Sequence, residues 1–369
     1  MRMTITLFLV CLFPLQIAVA QATHPLRIGV IFPFSGKEAR QGQLGRIGID
    51  LALREFGASF QPEIFYEDSH SDAKEAVLAF SKLQALNKVE VVLSMGSPIA
   101  MALLPMANRA HIVLLAMAVV PGFSVPSDYG FRLMSTAPGF AQRMQDLLLN
   151  ELGKQRIGLL YVEDDYGSGY AKVLGPALKD AGRLVAQESC LPGTSDYRPA
   201  LLKLKMAKPD AVILAVWGLD AGSVLRQSKE IGLAPDIFAC PGACDNPDLI
   251  VSGSGATESV VVVASAASTT PQREKALLDN FNEAPTSVVL RFYDAMLLLR
   301  QAQQECAAEI QQRGTCVRSV LRSTRNIMGS SYPLSFDGNG DIVDTYQLKL
   351  VRDNKFVPSR VENQKIIVE

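Results

Sequence analysis

Gly167-Ser168-Gly169 is the stretch whose spacing first invites a chemical reading. A glycine pair opening a helix is how dinucleotide-binding loops bring backbone N–H groups close to a pyrophosphate. That pattern needs a third glycine where Lys172 stands, and Gly175 arrives too late. No stretch fits the phosphate-cradling G-x-x-x-x-G-K-[ST] pattern, and the G-x-S-x-G nucleophile turn is missing. His24, His70 and His111 are scattered, so a hydroxyl nucleophile with an imidazole base has little to build on. Asp337, Asn339 and Asp341 copy the first half of a calcium loop, but its later glycine and glutamate are out of place. A plain turn suits these residues better.

What survives is binding chemistry. Serine is a preferred helix N-cap and proline a preferred first helical residue, so Ser97-Pro98 predicts a helix start with Ser97 as its cap. Helix N-termini favour negative charge, which makes Ser97 and the N–H groups behind it a candidate anion site. Tyr166 follows one strand-like run, and Trp217, the single tryptophan, ends another. Such rings belong by default to a core. Each of these, however, follows the carboxyl end of a strand, where open α/β sheets hold ligands, and we expect both in the wall of a small-molecule site.

The cysteines offer a staple rather than a reaction. Cys306 and Cys316 flank Gly314 at the expected joint of two helices and are expected to form a disulfide. Unstrained, it would stabilise by ~2–4 kcal/mol. Cys240 and Cys244 would pair only if their loop turns tightly, and zinc would need ligands that are not near them. Cys190 has no assigned role.

These residues must be positioned by alternating strands and helices. Leu26 to Phe32 is a largely apolar, β-branched run, the mark of a strand buried on both faces. A polar loop, Ser35 to Gly42, leads into a helix carrying Leu44, Ile47, Leu51 and Ala52, which stops at Gly57. Strands are expected at Glu63–Tyr66, Val89–Leu93 and Ile112–Ala116, and Asp72 with Glu75 predicts a capped helix. Arg156-Ile157-Gly158-Leu159-Leu160-Tyr161 then repeats the phrase Arg27-Ile28-Gly29-Val30-Ile31-Phe32, and Asp210–Val216 answers Val89–Leu93. Two βα lobes in tandem follow, each with a parallel sheet covered on both faces. Gly175-Pro176 predicts a kink or break in the helix after Gly169, since proline costs ~3 kcal/mol in a helix interior. Further on, helices are expected over Val288–Gln304 and Cys316–Ile327. Two strands should then lie around the Asn-Gly turn of Asp337–Asp341, within Leu334–Val351.

Arg2, the apolar run Leu7–Leu15 and the small residues before Gln21 and Thr23 read as a cleavable signal peptide, residues 1–22, cut after Ala20 or Ala22. The run is shorter than the ~20 residues of a membrane anchor. Cys11 follows bulky Val10 and does not suit lipid attachment. What remains is long enough for two domains. Removing Arg2 from the 36 basic side chains leaves 35 against 37 acidic ones, which gives no electrostatic footprint for nucleic acid or an anionic membrane.

Taken together, several stretches resemble the periplasmic branched-chain amino-acid-binding proteins of ATP-driven importers. They are Arg27-Ile28-Gly29-Val30 leading to Ser35-Gly36, Tyr66-Glu67-Asp68, Gly96-Ser97, Asp165-Tyr166-Gly167-Ser168-Gly169, Gly193-Thr194-Ser195-Asp196-Tyr197, and Phe336-Asp337 through Gly340-Asp341. The resemblance implies an α/β fold of two Rossmann-like lobes with parallel central sheets joined by three hinge crossovers, the type I periplasmic binding protein. Lobe 1 would hold 25–137 plus 266–335, and lobe 2 would hold 138–265 plus 336–369. It implies a monomer that closes on a small molecule and presents it to an inner-membrane permease of the ATP-binding-cassette (ABC) class, with no cofactor and no catalysis. A periplasmic sensor of the same fold, or an exported enzyme, are the rival readings.

By the same resemblance, Ser97 would bond the ligand's carboxylate, Ala118 would offer backbone groups, and Tyr166 and Trp217 would line the cleft. Two positions depart from the pattern. Val120 stands where a threonine usually holds the head group, and Gly242 where a glutamate usually pairs with the α-ammonium. An ordinary amino-acid head group then fits only if Asp245, Asp165 or Asp220 takes over; otherwise an aliphatic or aromatic carboxylate without the amine is the expected guest.

Overall fold

Apolar β-branched runs become the buried centre strands of two separate sheets in a computed structural model, which describes residues 24–36, 38–126, 128–266, 268–309 and 311–369. The apolar N-terminal run and both cleavage positions lie outside the described residues. The first sheet holds β1 (Arg27–Phe32), β2 (Glu63–Asp68), β3 (Val91–Met95), β4 (Val113–Met117) and β5 (Gly130–Arg132) in the order β2-β1-β3-β4-β5, all parallel. In the second, β6 (Ile157–Val162), β7 (Leu184–Cys190), β8 (Ala211–Ala215), β9 (Ile237–Pro241) and β10 (Val261–Ser265) run parallel in the order β7-β6-β8-β9-β10. Every residue of β3, β4, β8 and β10 is buried, as strands covered by helices on both faces must be.

Helices α1 (Ala39–Phe56), α2 (Ala73–Lys82) and α3 (Ser97–Ala110) follow the first strands, and α4 (Ala137–Gln145) follows β5. Helices α5 (Asp165–Asp180), α6 (Arg198–Met206), α7 (Gly218–Ile231) and α8 (Pro247–Gly253) alternate with the strands of the second sheet. The chain then returns through α9 (Pro271–Phe281), α10 (Ser287–Glu305) and α11 (Arg313–Ser323). Helix α10 packs on the first lobe, its Phe292 ring 4.5 Å from that of Phe32. A Cβ at Gly48 of α1 would sit 2.1 Å from the Val289 carbonyl, so the two helices touch through backbone. A short ribbon of β11 (Ile327–Met328) and β12 (Pro333–Leu334) precedes the last crossing.

The chain therefore passes between the lobes three times, and one carboxylate gathers the crossings. Asp344, its side chain 1% exposed, accepts from the Ser135 N–H at 3.0 Å, the Ser265 hydroxyl at 2.6 Å and Arg291 at 2.7 Å. Tyr332 donates its hydroxyl to the same group. Ser135 follows β5, Ser265 ends β10 and Asp344 precedes β13 (Tyr346–Arg352), so each belongs to a different crossing. Buried Arg132 adds a second tie, reaching Asp341 at 2.7 Å.

Several local expectations are corrected. Helix α5 runs unbroken through Gly175-Pro176. Pro176 faces solvent there, and Gly175 packs so closely on Gln187 that a Cβ would lie 2.5 Å from its Oε1; tertiary contact outweighs the proline penalty. The helix expected over Cys316–Ile327 begins earlier, at Arg313, and ends at Ser323, because Thr324 leaves the helical region at ψ 120° and Asn326 is left-handed. Asp337–Asp341 does turn, with the Asp337 carboxylate accepting three successive N–H groups at 2.9 Å. Its flanks meet only in one bridge, Phe336 with Ile342, so no two-stranded hairpin forms there. Instead β13 pairs antiparallel with β10 and starts a meander with β14 (Lys355–Glu362) and β15 (Lys365–Val368). The disulfide Cys306–Cys316 is present between α10 and α11, while Cys190, Cys240 and Cys244 are buried.

Candidate ligand-binding cleft

The carboxyl ends of both parallel sheets face one cavity of about 250 Å³. From the first lobe come Pro33 after β1, Met95–Ile99 from the end of β3 onward and Met117–Val119 from the end of β4 onward. From the second come Val162 at the end of β6, Asp164 and Tyr166 after it, Trp217 and Asp220 after β8, and Gly242-Ala243 after β9. The volume lies below the roughly 300–1,000 Å³ of pockets that take drug-sized molecules, which points to a small metabolite.

Five of the six residues singled out from the sequence line this space: Ser97, Ala118, Tyr166, Trp217 and Gly242. Val120 does not. Its side chain packs in the cluster around Phe123, and its carbonyl accepts from Arg132 at 2.9 Å. Ser97 is not the helix cap either. Gly96, at φ +96°, performs the turn that a side chain would resist, and Ser97 is the first helical residue. Its Oγ accepts the Val119 N–H at 3.1 Å, which pins the end of α3 to the loop after β4 and leaves the hydroxyl proton to donate. Arg132 holds the same loop from below through the Ala118 carbonyl, at 2.6 Å.

On the second lobe Asp164 caps α5, accepting the Gly167 N–H at 2.9 Å, and also accepts the Trp217 indole N–H at 2.8 Å. Burial pushes its carboxyl above the usual range, against those two bonds. Trp217 is stacked on Tyr166, which is buried and meets Tyr170 edge-on at 5.2 Å. Burial raises the Tyr166 phenol well above its ordinary value, so it acts as a neutral hydroxyl.

At Gly242 the missing side chain has a structural counterpart. A Cβ there would lie 3.1 Å from the Phe140 ring, so Phe140 of α4 fills the direction a longer residue would take. Of the three aspartates considered as substitutes, Asp245 is committed elsewhere, paired with Lys349 at 2.8 Å and bonded by Ser287 at 3.0 Å. Asp165 is exposed and outside the cavity. Asp220 alone lines it, buried and accepting from the Tyr197 hydroxyl at 2.5 Å.

Sequence reasoning passed over Glu38 and Gln41, both buried in the cavity wall. They sit where the polar loop after β1 enters α1, and nothing in their spacing distinguishes them from a solvated helix start. Asp164 was legible in principle as a capping residue at a strand end. Met95, Met117 and Met134 give the apolar wall an adaptable surface.

Loops at the carboxyl ends of two facing parallel sheets, closing over one small mixed cavity, define a two-lobed ligand-binding protein. The chain belongs to the periplasmic binding protein family, whose model matches residues 25–345. It is 23% identical over 342 residues to a leucine-, isoleucine-, valine-, threonine- and alanine-binding protein of Pseudomonas aeruginosa, covering 88% of each chain. Its fold matches a leucine-binding protein of Thermotoga maritima with TM-score 0.84 and 21% identity, over 92% of this chain and 99% of the other. A branched-chain amino acid transporter substrate-binding protein of Streptococcus pneumoniae, solved with isoleucine, matches with TM-score 0.81 and 22% identity, over 90% and 98%. The expected type I fold of two α/β lobes is thus the one observed.

Proposed function

We propose that this protein captures a small amino acid or related carboxylate outside the cytoplasm and delivers it to an ABC permease. The observation that carries this reading is the single cavity walled by Ser97 from one lobe and by Tyr166 and Trp217 from the other. Ligand bound there touches both lobes at once, so binding energy is gained only when they close. The Ser97 hydroxyl and the N-terminus of α3 receive the carboxylate. Tyr166, Trp217 and the methionines receive the apolar body. The lobes that move are 25–137 plus 266–335 and 138–265 plus 336–369, hinged near Asp344. The protein works as a monomer in the periplasm after cleavage behind Ala20 or Ala22, and it makes or breaks no bond in its guest. A relative named for binding leucine, isoleucine, valine, threonine and alanine, and a structural neighbour solved with isoleucine, support the ligand class.

A thermal-shift screen over amino acids, aliphatic acids and aromatic acids tests the reading. A true ligand at about 100 times its Kd should stabilise by ~2.7 kcal/mol, an evident melting shift. No stabilisation across the panel, or chemical turnover of a stabilising compound, would refute it.

A further inference from the structure

Asp245 is a buried carboxylate with partners in both lobes. It follows β9 of the second sheet, two residues past the cavity-lining Ala243. Its side chain is 1% exposed, and Lys349 of β13 donates to its two oxygens at 2.8 and 3.0 Å. Its Oδ2 also accepts the Ser287 hydroxyl at 3.0 Å, and the Ser287 N–H approaches the same atom at 3.5 Å. Ser287 is the first residue of α10, the 19-residue helix that packs on the first lobe. Thr286 caps that helix by accepting the Val289 N–H, so the Ser287 hydroxyl is left for a partner outside it.

Lobe motion acts differently on the two partners of Asp245. Lys349 moves with it, because β9 and β13 flank β10 in one sheet. Ser287 moves with the first lobe. It stands one turn from Arg291, whose bond to Asp344 marks the hinge, and on the cavity side of that tie. The lobes are together in this structure: a Cβ at Gly169 of α5 would lie 3.4 Å from Pro121 after β4. Rotation about Asp344 that opens the cleft therefore parts Ser287 from Asp245 and leaves the Lys349 pair whole. Closing restores a charge-assisted bond, and the positive end of the α10 dipole adds to it.

We propose that Asp245 and Ser287 form a latch that holds the two lobes closed over the guest. The latch rests on the solute-capture reading and adds to it a pair of positioning residues that set affinity through closure. Asp245 is not among the described residues lining the cavity, so it reaches the guest only through Ser287. Apparent affinity scales with the fraction of protein in the closed form, so the latch tightens every guest by the same factor.

A double-mutant cycle read by calorimetry on the mature protein tests this, with leucine, phenylalanine, 4-methylpentanoate and 3-phenylpropanoate as probes. In the natural background S287A should weaken the tightest of the four by about tenfold, the worth of one bond to a charged group. In D245N/K349M, which removes both buried charges together, S287A should cost less than about twofold. D245N alone keeps a partner for Lys349 and is the background to use should the double variant fail to fold. There too the cost of S287A should shrink, to about threefold or less. The same tenfold loss in the altered background would mean that Ser287 acts on the guest directly. No loss in the natural background would mean that its bond to Asp245 does not depend on closure. Either result overturns the latch and leaves solute capture standing, whereas binding of none of the four probes would overturn both.

Discussion

Trp217 lies flat against Tyr166, with ring centroids 4.3 Å apart and planes inclined by 26°. The indole N–H is donated to Asp164, so the tryptophan is held from its edge as well as its face. A ring fixed in this way loses little freedom when a ligand packs on it, which is what makes a rigid aromatic wall effective.

Replacing Trp217 with alanine should weaken the best ligand of the screen by about 10- to 100-fold, the range expected for removing a central aromatic contact. W217F should fall between, since it keeps a ring but releases Asp164. Calorimetry on both variants checks this; unchanged affinity in W217A would place the ring in the core rather than the site.

Ser97→Ala removes the acceptor for the Val119 N–H as well as a donor to the ligand. Stability should drop by about 1–2 kcal/mol in urea denaturation, and affinity for carboxylate-bearing ligands by about tenfold or more. Amines without a carboxylate should be spared, which separates the binding role from the structural one.

Asp344 gathers groups from all three crossings, so Asp344→Asn should leave Arg291 poorly compensated. A loss of roughly 3 kcal/mol is expected from breaking such a buried pair. The denaturation midpoint reads it, with exposed Val343→Thr as the neighbouring control.

How much of this was legible in the sequence follows from how local each signal is. Strands such as Val91–Met95 announce themselves because both faces are buried, and the disulfide joint because its two cysteines flank a helix break. The meander β13–β14–β15 was missed although Asp353-Asn354 and Asn363-Gln364 adopt the paired left-handed turn that such residues favour. Gln41 and Glu38 were unreadable for a different reason. Their importance depends on the second lobe lying across from them, and no local spacing encodes that.

Asp294 offers a pH signature. Burial pushes its carboxyl up to about 6, against the pull of Arg291 and the Ser330 N–H. Between about pH 4 and 6 the unfolded chain has released this proton while the folded protein still holds it, so stability falls as pH rises through that window. Relative to D294N, the natural protein should lose on the order of 1–3 kcal/mol across it. Urea midpoints measured for both proteins at several pH values should show this slope only when Asp294 is present.

The central claim is closure of two lobes on one small guest. Small-angle X-ray scattering of the mature protein, without and with a saturating amount of the tightest calorimetric ligand, tests it most directly. The account predicts a saturable fall in radius of gyration whose ligand-concentration midpoint W217A shifts upward in step with its weaker affinity. Full binding with an unchanged radius of gyration would contradict it.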